Sequence, residues 1–128
     1  MIFVDTNVLM YAVGGAHPLR EPARRFFEEC LEQGERLVTS AEVLQELLHA
    51  YVPVGRLETL DAALALAEGR IEVTWPIEPE DVLFARTLAG RHRELGARDL
   101  LHLSCCIRRD VREIKTFDRP LAAAFPES

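Results

Sequence analysis

The chain alternates short, unbroken apolar runs with amphipathic stretches, and this alternation limits its fold more than any other feature. Ile2-Phe3-Val4, Leu37-Val38-Thr39, Ile71 to Thr74 and Glu113 to Phe117 read as strands. The first run shows no polar alternation, which suits a strand covered on both faces. Helical periodicity rules the segments between them. Val8 to Val13 opens the series. Glu21 to Gln33 carries Phe26, Phe27, Cys30 and Leu31 on one side and stops at Gly34. A helix led by Thr39-Ser40-Ala41-Glu42, which matches a capping box, runs to about Tyr51. Leu57 to Glu68 follows, ended by Gly69. Pro79 to about Arg93 is expected to turn Val82, Leu83, Ala85, Leu88 and Ala89 inward. Ala97 to Ile107 is apolar around most of its circumference and is expected to be central and buried. The tail from Arg119 to Phe125 is a short helix or turn. The order β, α, α, β, α, α, β, α, α, β, α implies an α/β fold, a parallel sheet with helices on both faces.

At 128 residues the chain is expected to form one domain, residues 1–128, with a substantial core. It has no apolar stretch long enough for a membrane span, and its start reads as a strand instead of a signal peptide. A cytoplasmic location is expected. Three cysteines without CxxC spacing fit neither a disulfide framework nor a zinc site, so Cys105 and Cys106 read as small core residues. The net charge of −6 counts against general phosphate-backbone binding. Lys115 is the only lysine.

Against this frame, four acids stand out. Asp5 closes the first strand, where an unpaired buried carboxylate would be costly, and Thr6 or Asn7 can cap the helix that follows. Asp118 repeats that placement after the last strand. Asp99 lies in the first turn of the buried helix, with no lysine nearby in sequence to compensate it. Glu46 and Glu42 share a helix, but Glu42 points away from the apolar face and has a sufficient role as a cap. Glu46 borders the buried face, where it can reach a cleft. His102, three residues beyond Asp99, reads as structural because no second His or Cys sits at metal-ligand spacing. A parallel sheet gathers strand ends and helix starts on one edge, so Asp5, Asp99 and Asp118 can converge there. Clustered carboxylates repel unless protonated or metal-bound. Mg²⁺ or Mn²⁺ fits such a set of oxygen ligands, and the chemistry such ions support is displacement at phosphorus.

These residues resemble the PIN domain family, and more narrowly the VapC-type ribonuclease toxins of toxin–antitoxin pairs. The resemblance rests on Val4-Asp5-Thr6-Asn7-Val8-Leu9, Val43-Leu44-Gln45-Glu46-Leu47-Leu48, Arg98-Asp99-Leu100-Leu101-His102 and Lys115-Thr116-Phe117-Asp118, in that order. It implies a three-layer α/β/α PIN-like fold with a short, mainly parallel central sheet of four to five strands. It implies a Mg²⁺- or Mn²⁺-dependent endoribonuclease that leaves a 5′-phosphate and a 3′-hydroxyl. Asp5, Glu46, Asp99 and Asp118 would form the catalytic, metal-binding set, with Asn7 and Thr116 in support. RNA, an antitoxin protein and a second copy of the chain are the implied partners. Arg20, Arg24, Arg25, Arg91, Arg93 and Arg98 are candidates for RNA contact, none of them singled out. Two other acidic Mg²⁺ folds fit worse. A receiver-type signalling domain needs an acid pair after the first strand and an acid after a central one, but Thr6-Asn7 and Thr74-Trp75-Pro76 stand there. A haloacid-dehalogenase-like phosphatase needs an Asp where Asn7 stands. A non-catalytic PIN-like module that holds RNA or protein remains the alternative.

Overall fold

The computed structural model describes residues 1–126. Its strands are β1 (Ile2–Val4), β2 (Leu37–Ser40), β3 (Val73–Trp75) and β4 (Glu113–Lys115). They form one sheet in the order β3-β2-β1-β4, and every pairing is parallel. Helices α1 (Thr6–Val13) and α2 (Arg20–Gln33) join β1 to β2, and α3 (Ala41–Tyr51) and α4 (Leu57–Arg70) join β2 to β3. Helices α5 (Pro79–Ala89) and α6 (Ala97–Arg108) lead to β4, and α7 (Arg119–Ala123) closes the chain. The α/β/α layering and the element order agree with the sequence pattern.

The topology explains where a site can form. From β1 the chain steps outward through β2 to β3, then returns to place β4 on the opposite side of β1. The order therefore reverses between β1 and β4, and a crevice opens outside the carboxyl ends of strands at such a point. Phe3 and Val4 are fully buried, as expected of a central strand. One core cluster joins them to α1, α2, α3 and α4 through Val8, Leu9, Phe27, Val43, Leu47 and Ala63. A smaller cluster, with Leu88, Leu103 and Leu121, ties α5, α6 and α7 together. Cys30, Cys105 and Cys106 are buried free thiols, and burial pushes the Cys105 thiol up to about 12.

The structure corrects several local expectations; among them, β3 begins at Val73 and β4 ends at Lys115. The Thr39–Glu42 capping box does not form. Thr39 is a fully buried residue of β2, and its hydroxyl donates to the Val4 carbonyl 2.9 Å away. The cross-strand bond thus wins over the cap, and Ser40 takes the N-cap position without a side-chain bond. Helix α5 ends at Ala89 with Gly90 as its C-cap, short of Arg93, whereas α4 continues through Gly69 to Arg70. Finally, Val82 and Leu83 are 52% and 70% exposed, because α5 turns Asp81, Ala85 and Leu88 inward. Asp81 fixes this orientation, because its carboxylate accepts hydrogen bonds from Arg108 and Arg109 at the end of α6.

Candidate active site

Asp5 sits where β1 meets α1, and its carboxylate has two structural duties. One oxygen, Oδ1, accepts the Thr6 amide at 2.8 Å, so Asp5 itself is the N-cap of α1. This corrects the expectation that Thr6 or Asn7 would cap. The other oxygen, Oδ2, accepts the Thr116 hydroxyl at 2.7 Å, which ties the end of β1 to the end of β4. Thr116 Oγ1 accepts in turn from Asn7 Nδ2 at 3.2 Å and from the Asp118 amide at 3.0 Å. Asn7 Oδ1 also receives the Phe117 amide at 3.2 Å. The short Asp-Thr-Asn sequence therefore staples α1 to the segment after β4 across the strand-order reversal. Asp118 mirrors Asp5 as the N-cap of α7, accepting the Leu121 amide.

Glu46 approaches from α3 and meets Thr6 and His102. Thr6 Oγ1 donates to Glu46 Oε2 at 2.6 Å, and His102 Nε2 lies 2.8 Å from Glu46 Oε1. The same imidazole nitrogen is 3.6 Å from Asp5 Oδ1. Ligand atoms of Asp5, Glu46 and His102 all lie within 4.8 Å of one another. Asp99 and Asp118 complete a cleft of about 270 Å³ with Asp5, Glu46, His49 and Arg98 along its walls. Neither of these two acids joins the closer group of three. Glu42, on the same helix as Glu46, is not part of the cleft lining.

The electrostatics distinguish the four acids. Burial raises the Asp5 carboxyl above its ordinary value, against the opposing pull of His102. Burial also works to raise Glu46, but the His102 hydrogen bond and charge, with help from Thr6 and Arg98, hold it below the usual range. Asp99 makes no hydrogen bond to His102, and the histidine's charge offsets the upward influences on it only in part. Burial, and then the negative charges of Asp5 and Asp118, push it up to about 6. His102 is held above its ordinary value despite burial, because Glu46 and Asp5 favour its charged form. Its Nδ1 is buried without a partner.

Sequence reasoning thus brought Asp5, Glu46, Asp99, Asp118, Asn7 and Thr116 to one place. It placed His102 correctly as a buried residue but missed that its ring lies among the acids, 2.8 Å from Glu46 and 3.6 Å from Asp5. It missed Thr6 as a second donor to Glu46. The available signal for His102 was its position three residues after Asp99 on one helical face. Its partner Glu46 lies 56 residues away, beyond any local pattern. Of the candidate arginines, Arg98 lines the cleft, whereas Arg24 Nε donates to the Ala12 carbonyl at 2.9 Å.

The carboxylates suit a hard divalent ion. Four segments of the chain deliver buried or half-buried oxygen donors; their repulsion adds to burial in driving Asp99 upward, and a cation removes that repulsion. Thr116 is the hinge of the arrangement, since its hydroxyl serves Asp5, Asn7 and Asp118 at once. Thr116→Val is expected to cost about 1–2 kcal/mol in urea unfolding, the range for orphaning buried partners. It is also expected to weaken Mn²⁺ binding by about tenfold, as loss of an outer hydrogen bond to a metal ligand does. Unchanged stability and metal affinity would remove Thr116 from this role.

Comparison with known proteins agrees with the geometry. The PIN domain family model matches residues 2–124. Ribonuclease VapC23 of Mycobacterium tuberculosis is 66% identical over 125 residues, spanning 98% of each chain. VapC ribonuclease Mb1869c of Mycobacterium bovis is 44% identical over 119 residues, 93% of this chain and 91% of that one. Among solved structures, Mycobacterium tuberculosis VapC20, described as a sarcin-ricin loop cleaving toxin, superposes with a TM-score of 0.75 at 22% identity, covering 100% of this chain and 98% of that one. VapBC2 from Rickettsia felis, bound to a DNA fragment from its promoter, gives a TM-score of 0.71 at 20% identity, over 98% and 94% of the chains. At those identities the structural likeness speaks for the fold.

Proposed function

The chain belongs to the PIN domain family, and from that premise we propose that it is a VapC-type endoribonuclease, the toxin of a toxin–antitoxin pair. The observation that carries this reading is the acidic cleft built from the ends of β1 and β4 and from α3 and α6. We read residues 1–128 as one such domain.

Asp5, Glu46 and Asp99 would hold Mg²⁺ or Mn²⁺, with Asp118 as a further ligand or as an acceptor for attacking water. When bound, the ion supplies Lewis-acid activation of water and neutralises charge on the phosphodiester. Asp5 is suited to a fixed ligand because Thr6 and Thr116 lock both its oxygens. Asn7 and Thr116 orient it and keep the end of β4 in register with α1. His102 bonds Glu46 and approaches Asp5 from within the protein, which ties α6 to the acid cluster. Arg98, at the mouth, offers a guanidinium to a phosphate oxygen of the substrate.

RNA is the substrate in this reading, and cleavage leaves a 5′-phosphate and a 3′-hydroxyl. An antitoxin protein that presents a basic side chain fits the acidic cleft, and we expect the chain to act as a homodimer. No helix of the described residues is long and apolar enough to cross a membrane. Free thiols and an RNA substrate are consistent with a cytoplasmic location.

Incubating the protein with single-stranded RNA in Mn²⁺, and separately in chelator, tests the proposal. Metal-dependent fragments with 5′-phosphate ends are expected. RNA that binds but stays intact in Mn²⁺ would instead support a non-catalytic binding module.

A further inference from the structure

We propose that a second cleft, beside the acids, is a nucleobase subsite in which Tyr11 and His17 stack an unpaired base of the RNA and Arg56 contacts its phosphate. This rests on the ribonuclease reading above. The cleft has a volume of about 410 Å³ and is lined by Asn7, Met10, Tyr11, His17, Tyr51 and Arg56, among others. Pockets of about 300–1,000 Å³ are the usual size for small organic ligands. Asn7 and Met10 also line the acidic cleft, so the two spaces adjoin. A strand with one phosphate at the acids can therefore send a neighbouring base into this space.

The sequence builds the pocket from the same helix that begins at Asp5. Tyr11 lies four residues after Asn7 and so shares its face of α1. Its ring is steadied by the edge of Phe117, with centroids 5.7 Å apart at 78°. His17 follows the Gly14-Gly15 turn and lies against Tyr11 at 4.5 Å and 31°. The Leu19 amide donates to His17 Nδ1 at 3.0 Å, which orients the ring and places the proton of the neutral imidazole on Nε2. Arg56 is held over the Tyr51 ring, its Cζ 5.8 Å from the centroid. Fixed aromatic faces, one ring N–H donor and one cation form the combination that recognises single-stranded RNA. An apolar peptide would use the faces but not the donor and the cation, and continuity with a phosphodiester-cleaving cleft favours RNA.

The test has a binding arm and a kinetic arm. The four nucleoside 5′-monophosphates are titrated into the metal-free protein and followed by amide NMR. Shifts are expected at Tyr11, Gly14, His17 and Arg56, and they are expected to vanish in His17→Ala. In Mn²⁺, His17→Ala and Tyr11→Leu, which keeps an apolar side chain but removes the aromatic face, should each raise KM for a short oligoribonucleotide by about tenfold with little change in kcat, the size of one lost base stack. The same RNA carrying an abasic nucleotide at each position in turn should include one position where wild type loses as much and the variants lose nothing more. Shifts that are absent or scattered, or a His17→Ala penalty equal on intact and abasic RNA at every position, would overturn the subsite. So would a protein segment that seats there when nucleotides do not. If wild type cleaves no RNA, the ribonuclease reading fails, while the monophosphate titration still decides the subsite.

Discussion

Asp99→Asn is expected to lose Mn²⁺-dependent RNA cleavage by at least about a hundredfold, the scale seen when one fixed electrostatic group of a reaction centre is removed. The same protein is expected to melt no lower than wild type in chelator. The combination matters because most acids of the cluster also hold the fold together. Asp5 caps α1 and binds Thr116, Asp118 caps α7, and Glu46 bonds Thr6 and His102. Asp99 makes no such bond among the described residues, and the N-cap of its helix is Gly96. Its carboxyl is raised from 3.8 to about 6 by burial and by the charges of Asp5 and Asp118. A raised folded value means that its contribution to stability is fully present below 3.8 and is lost as pH rises through about 6. At neutral pH, without metal, the charged Asp99 therefore works against folding. Asparagine removes that penalty and also removes the ligand. Full activity in Asp99→Asn would take Asp99 out of the site. A large drop in melting temperature would assign it a structural task that the geometry does not show.

The largest expected loss of stability lies elsewhere, at Asp81. This residue is fully buried, and its carboxylate receives Arg109 at 2.8 and 3.1 Å, Arg108, and the Glu78 amide at 2.9 Å. Its carbonyl accepts the Ser104 hydroxyl at 2.7 Å. Arg109 also stacks on Trp75, 5.3 Å from the ring centroid. The network joins the start of α5 to the end of α6 and to the segment after β3. Asp81→Asn keeps the shape but leaves two guanidinium groups facing a neutral amide. A loss of about 3 kcal/mol in urea unfolding is expected, the low end for breaking a buried pair, since both arginines keep some contact with water. Burial opposes the charge of Asp81, yet the arginines hold it down at about 2, from 3.8. A depressed folded value gives stability that is present above 3.8 and is lost as pH falls through about 2. The gap between wild type and Asp81→Asn should therefore narrow over that acid range. A gap that stays constant with pH would mean that packing, not charge, explains the loss.

The contrast between these two acids shows what the sequence could reveal. Asp99 was legible because it sits on a helix whose other faces are apolar and has no compensating lysine nearby. Glu46 could be told from Glu42 by its angle to Val43 and Leu47 alone. Asp5 and Asp118 announced themselves by ending apolar strands. Asp81 was hidden for the opposite reason. An acid in the first turn of a helix is ordinary, so nothing local marks it, and Val82 and Leu83 read as core. Its partners, Arg108 and Arg109, lie 27 and 28 residues away. Only the packing of α5 on α6 reveals that Asp81 points in beside Ala85 and Leu88, while Val82 and Leu83 point out. Thr39 misled in the same way, since a local cap and a cross-strand bond to Val4 compete for one hydroxyl. Local periodicity therefore set the element order correctly, and the errors at Asp81 and Thr39 arose where a polar side chain found a distant partner.

The central claim is that the acids of this cleft bind a divalent cation, and titration calorimetry with Mn²⁺ at neutral pH tests it most directly. Wild type and Glu42→Gln should bind alike, because Glu42 lies outside the cleft lining. Asp99→Asn should bind at least about tenfold more weakly, the loss expected when a charged oxygen ligand is withdrawn from the ion's surroundings. Equal Mn²⁺ affinity in wild type and Asp99→Asn, or no binding by wild type, would contradict the assignment of this cleft as the metal centre.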